Sequence, residues 1–259
     1  GLDITLLKGN LDFSVDAYIR DTKDMLMNVK YPDVLGTPAP KSNAAELRTK
    51  GWEASINYRK TIGKDWHLGL NMSLSDNTTE ITRYDNPSGS LSEYYVGMKI
   101  GEIWGYVTEG IFQTDDEVAK HADQTQLGAN WKAGDMKIAD LNNDKKITAG
   151  KLTLNDPGDR RIIGNSTPRY AFGIMPKLGY KNWSLNAFFQ GLFRDYLPLA
   201  SNWTLFYPGV TGVVETWYEK ESWTPDNPDA YYPALHRANS NLKNYTPQSR
   251  WVQNASYIR

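Results

Sequence analysis

The chain contains no cysteine. A disulfide framework, a thiolate metal site and a cysteine nucleophile are therefore excluded, and the absence fits passage through an oxidising compartment. Although 40% of the residues are hydrophobic, no run approaches the roughly 20 apolar residues that a transmembrane helix needs. That excludes a helical membrane protein but not a β-barrel, whose strands alternate apolar and polar residues and look hydrophilic on average. Neither charge is in surplus: 29 basic residues stand against 30 acidic ones, so nothing points to nucleic acid or to a strongly charged ligand. Gly1 is not followed by a basic and then an apolar stretch, so no signal peptide is recognised and the expectation is a cytoplasmic chain or a truncated piece. Histidine is scarce, and His67, His121 and His236 stand at no recognisable spacing from a partnered Ser or carboxylate. Asp115-Asp116 has the composition of a glycosidase pair, but after Thr114 it reads as the acidic first turn of a short helix. No enzyme is expected.

What the chain has in plenty is Trp and Tyr, 9 and 16 against 7 Phe. Both carry an apolar body with a polar tip, which suits membrane interfaces and sugar-stacking surfaces. Several segments alternate strictly. Odd positions are apolar through Leu11–Ile19; Trp52, Ala54, Ile56 and Tyr58 alternate with Glu53, Ser55 and Asn57; Trp66, Leu68, Leu70, Met72 and Leu74 alternate with polar or small residues. Tyr170, Phe172, Ile174, Leu178 and Tyr180 share one face, as do Trp183, Leu185, Ala187 and Phe189, and a last strand begins near Trp251. This period of two predicts strands with one apolar face. Their length, about 9–12 residues, suits a tilted bilayer crossing.

The connections alternate too. Thr61–Lys64 and Lys181-Asn182 are tight hairpins, whereas about 21–48, 77–168 and 195–250 are long loops. Such loops are rare in compact domains, but tight turns on one side and long loops on the other is the layout of outer-membrane barrels. The fold class is therefore all-β, a partial transmembrane antiparallel barrel. Asp12, Asp16, Glu53, Asn57, Asn71, Ser73, Asn186 and Gln190 should line its lumen. Pro176 lacks the N–H that a paired strand uses, and a bulge near the turn is expected there. The alternative is a secreted or surface carbohydrate-binding β-protein, which would bury its apolar faces between two sheets.

Within 77–168, the run Val96-Gly97-Met98-Lys99-Ile100-Gly101-Glu102-Ile103-Trp104-Gly105-Tyr106, then Glu109–Thr114, resembles a block of the SusC/RagA family of TonB-linked outer-membrane proteins. Gly134–Ile138, Asp140–Thr148, Asp159-Arg160, Ile163-Gly164-Asn165 and Pro168 follow in the family's order. Ser222–Pro228 with Tyr232-Pro233, and Asn254–Arg259, resemble its later loop and strand start. The resemblance spans nearly the whole chain. It implies the later part of a barrel of about 22 strands, with the plug domain and last strands missing from this piece. It also implies import of oligosaccharides or peptides across the outer membrane of a Gram-negative bacterium, driven by the TonB–ExbB–ExbD complex through the plug. A SusD-like surface lipoprotein would act as the lid.

Two residue sets are candidate sites. Asp140, Asn142, Asp144, Lys146 and Thr148 stand at positions 1, 3, 5, 7 and 9 of an EF-hand-like loop, with Asp159 available to close it around a structural Ca2+. Lys145 replaces the turn glycine and Lys151 the bidentate Glu, so a self-bonded Asn/Asp turn is the competing reading. Trp203, Tyr207, Trp217, Trp223 and Tyr231 crowd 195–250 and are candidate sugar-stacking rings, with loop self-packing or lid contact as the alternative. Trp52, Trp66 and Trp183, at strand ends, read as interfacial anchors.

Overall fold

The computed structural model describes residues 1–28, 41–198, 216–235 and 243–259. Its frame is an antiparallel sheet. Strands β1 (Leu2–Leu6), β2 (Leu11–Asn28), β3 (Lys41–Ile62) and β4 (Trp66–Tyr84) form a meander, and β9 (Arg169–Tyr180) pairs with β4. Beyond β9 lie β10 (Trp183–Asn186), β11 (Phe189–Phe193) and β14 (Tyr257–Ile258).

The period of two becomes geometry through the register. Ile4, Phe13, Ile56, Met72, Ile174 and Phe189 are successive cross-strand partners, so one apolar row crosses six strands. One residue along, the row reads Asp3, Ser14, Ser55, Ser73, Gly173 and Gln190. Neither face is covered by a second sheet among the described residues, and Ile4, Leu74, Leu178, Leu185 and Phe189 are exposed. On β3 the apolar face runs from Trp52 to Ile62, about 33 Å along the strand at the usual rise. A tilt of about 45° reduces this to roughly 23 Å, close to the apolar band of a barrel.

The connections follow the expected alternation, with corrections. The turns are Leu7–Asn10, 63–65 and Lys181-Asn182, all at one end of the sheet; the β3–β4 turn falls slightly later than expected. Lys181 takes φ 53°, as a two-residue hairpin demands. The stretch 21–48 is mostly not loop: β2 and β3 stay paired from Asp21↔Arg48 out to Asn28↔Lys41, and only 29–40 falls outside the described residues. Likewise β4 runs on to Tyr84. The strands outlast a bilayer's thickness because cross-strand pairs hold the extension: Arg48 donates to Asp21 at 2.7 Å, and Arg83 reaches Glu46 at 2.9 Å. Pro176 introduces no bulge. Its carbonyl accepts from Ala187 N, so its missing N–H lies on that side; the ladder pauses between Asn186↔Lys177 and Phe189↔Ile174 while the register continues.

The hydrophobic core lies outside the sheet, in a lobe formed by two of the long connections. In 85–168, β5 (Glu102–Tyr106) pairs with β8 (Arg160–Asn165), and β6 (Thr108–Ile111) with β7 (Met136–Ile138). Helix α1 (Asp115–Lys120) is capped by Thr114, whose side chain accepts from Glu117 N, and Asp115, Asp116 and Glu117 fill its first turn. The later connection adds helix α2 (Thr216–Lys220) and the short pair β12 (Asp195–Tyr196) with β13 (Gln253–Asn254). Tyr106, Ile111, Met136, Ile138 and Ile147 from the first stretch pack with Trp223, Ala230, Tyr245 and Trp251 from the second.

Candidate functional site

The sheet has one largely apolar face and one largely polar face. On the polar face, Ser14, Asp16, Glu53, Ser55, Ser73 and Ser75 border a hollow of about 190 Å³. The eight residues expected to line a lumen share this face by register, Asn186 opposite Lys177 and Gln190 opposite Gly173. Gly51 has a local reason on this face: a Cβ there would stand 2.5 Å from the Tyr18 ring, which lies across the glycine. At the start of β9 the guanidinium of Arg169 grips both oxygens of the nearly buried Asp76, Nη2 to Oδ2 at 2.5 Å, and fastens β9 to β4.

Higher on the same face lies a feature that sequence reasoning missed. A positive φ at Asp24 and a register shift turn Met25 and Met27 to the side of Ala45 and Leu47. With Ile81, Tyr84, Tyr94 and Ile100 they line an apolar pocket of about 320 Å³. The segment around Met98 occupies the place beside β4 that β9 holds lower down, with Ile81 N donating to Met98 O and Ile100 N to Thr79 O, both 2.9 Å. Nearby, the Tyr95 hydroxyl bonds the Glu102 carboxylate and receives Trp104 Nε1. Burial, then the carboxylate, push the Tyr95 phenol up to about 12.

The aromatic candidates divide. Trp223 is buried, donates Nε1 to Gln113 Oε1 at 3.0 Å and packs on Gly134, whose φ of +88° and missing Cβ admit the ring. It is a core residue, so its face is not offered to a sugar; residues distant in sequence enclose it, which no local pattern reveals. Tyr231 is half-buried, with its hydroxyl donating to Arg250 O and the Arg250 guanidinium 4.6 Å from its ring centre. Trp217 remains 40% exposed, edge-on to Tyr218 and Tyr232. Trp203 and Tyr207 lie outside the described residues, as does His236. Trp66 and Trp183 flank Tyr180 in one cross-strand row at the turn end, with the Trp66 and Tyr180 ring centres 4.5 Å apart. Trp52 falls mid-strand rather than at an end, opposite Ala17 and Asp76, because β3 continues outward to Lys41.

In the 140–148 loop the side-chain oxygens bond backbone. Asp140 Oδ2 accepts Lys145 N, Asn142 Oδ1 accepts Asp144 N, and Asp144 Oδ1 accepts Lys146 N. Asp159, fully buried, accepts Leu141 N and Thr148 N on its two oxygens, and Thr148 Oγ1 accepts Gly150 N. Asn143 and Lys145 have positive φ, so Lys145 takes the turn without glycine. Among the described residues no three His, Asp or Glu side chains gather around a common point. Asp140 Oδ1 is a buried oxygen without a hydrogen-bond partner.

No protein-family model matches the chain. By sequence, it is 28% identical over 272 residues to TonB-dependent receptor P3 of Formosa agariphila, covering all of this chain and 25% of that protein. It is 28% identical over 202 residues to TonB-dependent receptor SusC of Bacteroides thetaiotaomicron, covering 76% of this chain and 19% of the relative. Among solved structures, the RagAB peptide transporter matches 99% of this chain over 27% of its own, with a TM-score of 0.67 at 18% identity. The chain thus spans about a quarter of the length of the curated relatives that cover it fully.

Proposed function

We propose that this SusC/RagA-like TonB-dependent receptor chain is a section of barrel wall that serves outer-membrane import of oligosaccharides or peptides. The observation that carries the reading is the pair of adjacent rows through six strands, apolar from Ile4 to Phe189 and polar or small from Asp3 to Gln190. A wall with lipid on one side and water on the other requires that division. A soluble sandwich requires its apolar face to be covered by a second sheet; among the described residues none covers this row, whose ends Ile4 and Phe189 are exposed and whose middle residues are half-buried. The reading assigns no catalysis to the chain.

In this reading the lobe stands outside the cell, beneath a SusD-like lipoprotein lid. Cargo passes the polar face once the TonB–ExbB–ExbD complex has remodelled a plug supplied by the rest of the transporter. The test is uptake of labelled oligosaccharides and labelled peptides by cells with and without the gene, together with membrane fractionation. Loss of uptake of one cargo class on deletion supports import and names the cargo. Recovery of the protein in a soluble fraction overturns it.

A structural calcium ion in the 140–148 loop belongs to the same proposal. Asp140 Oδ1, buried and unpartnered, is the oxygen that supports it, with Asn142, Asp144, the Lys146 carbonyl, Thr148 and Asp159 as its neighbours in the expected shell. Calorimetry with calcium tests it: heat of binding that disappears in Asp140→Asn supports the ion, and no heat with the unaltered chain leaves the self-bonded turn alone.

A further inference from the structure

We propose that the tight-turn end of the wall docks on the anionic phospholipid headgroups of the leaflet it faces. The inference rests on the barrel reading, because only a wall standing in a bilayer presents all its turns to one leaflet.

The chain as a whole is nearly neutral, with a net charge of −1, but this end is not. Lys8 sits in the β1–β2 turn, Lys60 and Lys64 flank and enter the β3–β4 turn, and Lys181 sits in the β9–β10 turn. All four are exposed. Across the three turns the only carboxylate is Asp65. Among the described residues none of the four lysines enters an ion pair with a carboxylate. At the other end of the wall carboxylates stand among the basic residues: Arg48 pairs with Asp21, and Arg83 with both Glu46 and Asp24.

The basic turns adjoin the feature that fixes membrane depth. Trp66, Tyr180 and Trp183 form one cross-strand row on the apolar face, and Trp183 is 81% exposed. Rings with polar tips settle at headgroup level. The Lys181 ammonium lies 5.3 Å from the centre of the Tyr180 ring, so the charge is held beside the girdle. Lys60 projects on the same face, partnered with Leu68, where its apolar stem can lie along the belt while its ammonium reaches the phosphates. The apolar belt, the aromatic row and the lysines therefore follow one another in the order of acyl chains, interface and phosphate. A lysine near an anionic surface adds about fivefold to partition, so three together add on the order of a hundredfold at low salt.

The test refolds the whole transporter that contains this chain from denaturant against vesicles of phosphatidylcholine alone and of phosphatidylcholine with phosphatidylglycerol. The comparison is a variant carrying Lys8→Gln, Lys64→Gln and Lys181→Gln, all in exposed turns. Partition is read by co-flotation, and depth by tryptophan quenching with brominated lipids. The expected result is a rise in partition with anionic lipid that salt suppresses and the variant lacks, while both proteins enter neutral vesicles equally. Equal partition of the unaltered transporter into both vesicles overturns the docking proposal and leaves the barrel intact. Failure of the whole transporter, unaltered or variant, to enter neutral vesicles as β-structure overturns the barrel reading and the docking with it.

Discussion

The ammonium of Lys243 lies 2.8 Å from the Asp135 carboxylate, and both side chains are sealed from solvent. Neither depends on the other alone. Lys243 also donates to the Ala129 and Asn130 carbonyls and sits 4.5 Å from the centre of the Trp131 ring, while Asp135 accepts from Lys132 N and Asn244 Nδ2. The pair joins the two stretches of chain that make the lobe.

Removing one partner leaves the other charge buried without its counterion, which is costly. Asp135→Ala is expected to destabilise the lobe by about 3–5 kcal/mol. Limited proteolysis should then cut within 121–135 at denaturant concentrations that leave the unaltered lobe intact. Unchanged protection would show that the carbonyl and ring contacts of Lys243 suffice.

The short strand β7 depends on buried amides. Gln124 donates to Met136 O and accepts from Ile138 N, and Asn244 Oδ1 accepts from Met136 N. Gln124→Ala strands both backbone groups and is expected to cost about 1–3 kcal/mol, as each loses its partner away from water. Amide exchange at Ile138 reads the change; protection equal to that of the unaltered chain would count against a supporting role for the amide.

Substitution should separate the two faces of the wall. Ile174→Arg, in the middle of the apolar row, is expected to cost about 2–4 kcal/mol of folding into a bilayer. Ser73→Arg, one step away on the polar face, should cost far less, because that face meets water. Equal penalties in urea titrations of the whole vesicle-inserted transporter would rule out a wall with two environments.

Alkaline pH should loosen the outer segment through Tyr95. Its folded pKa, about 12, stands above the ordinary value of 10 because of burial and then the Glu102 carboxylate. A raised pKa means that the neutral phenol is favoured in the fold. The stabilisation is complete below pH 10 and is lost as pH climbs towards 12. Tyr95→Phe should flatten the loss of near-ultraviolet dichroism over that window, and an unchanged profile would remove Tyr95 as its source.

The wall is legible in the sequence because its signal is local. Alternation at Trp52–Tyr58 and Trp66–Leu74 is a property of neighbouring residues, and the hairpin residues between them announce themselves. The outer halves of β2 and β3 are not legible in this way, since Arg20 to Asp24 and Lys41 to Arg48 carry charges on both faces and the period of two fades there. β1 is too short to stand out, although Leu2, Ile4 and Leu6 alternate. Of the site residues, Trp223 is recognisable as aromatic but not as core, because what buries it comes from Gln113 and Gly134, about 110 and 90 residues away in the chain. The Asn/Asp spacing at 140–148 marks a real turn, since local side-chain bonds to backbone are also a property of neighbours.

The lobe's two stretches meet across the strands that separate them. Tyr106 N donates to Pro247 O and Thr108 N to Ser249 Oγ, so the connection before β9 is bound to the one that follows β12. As the chain folds, the first stretch's half of the core stays uncovered until the intervening strands are in place and Trp251 is brought in. Completion of the lobe therefore comes after that of the strands it joins. The two connections that flank β9 to β12 are thus tied to each other, and separating those strands from the lobe requires opening a buried core.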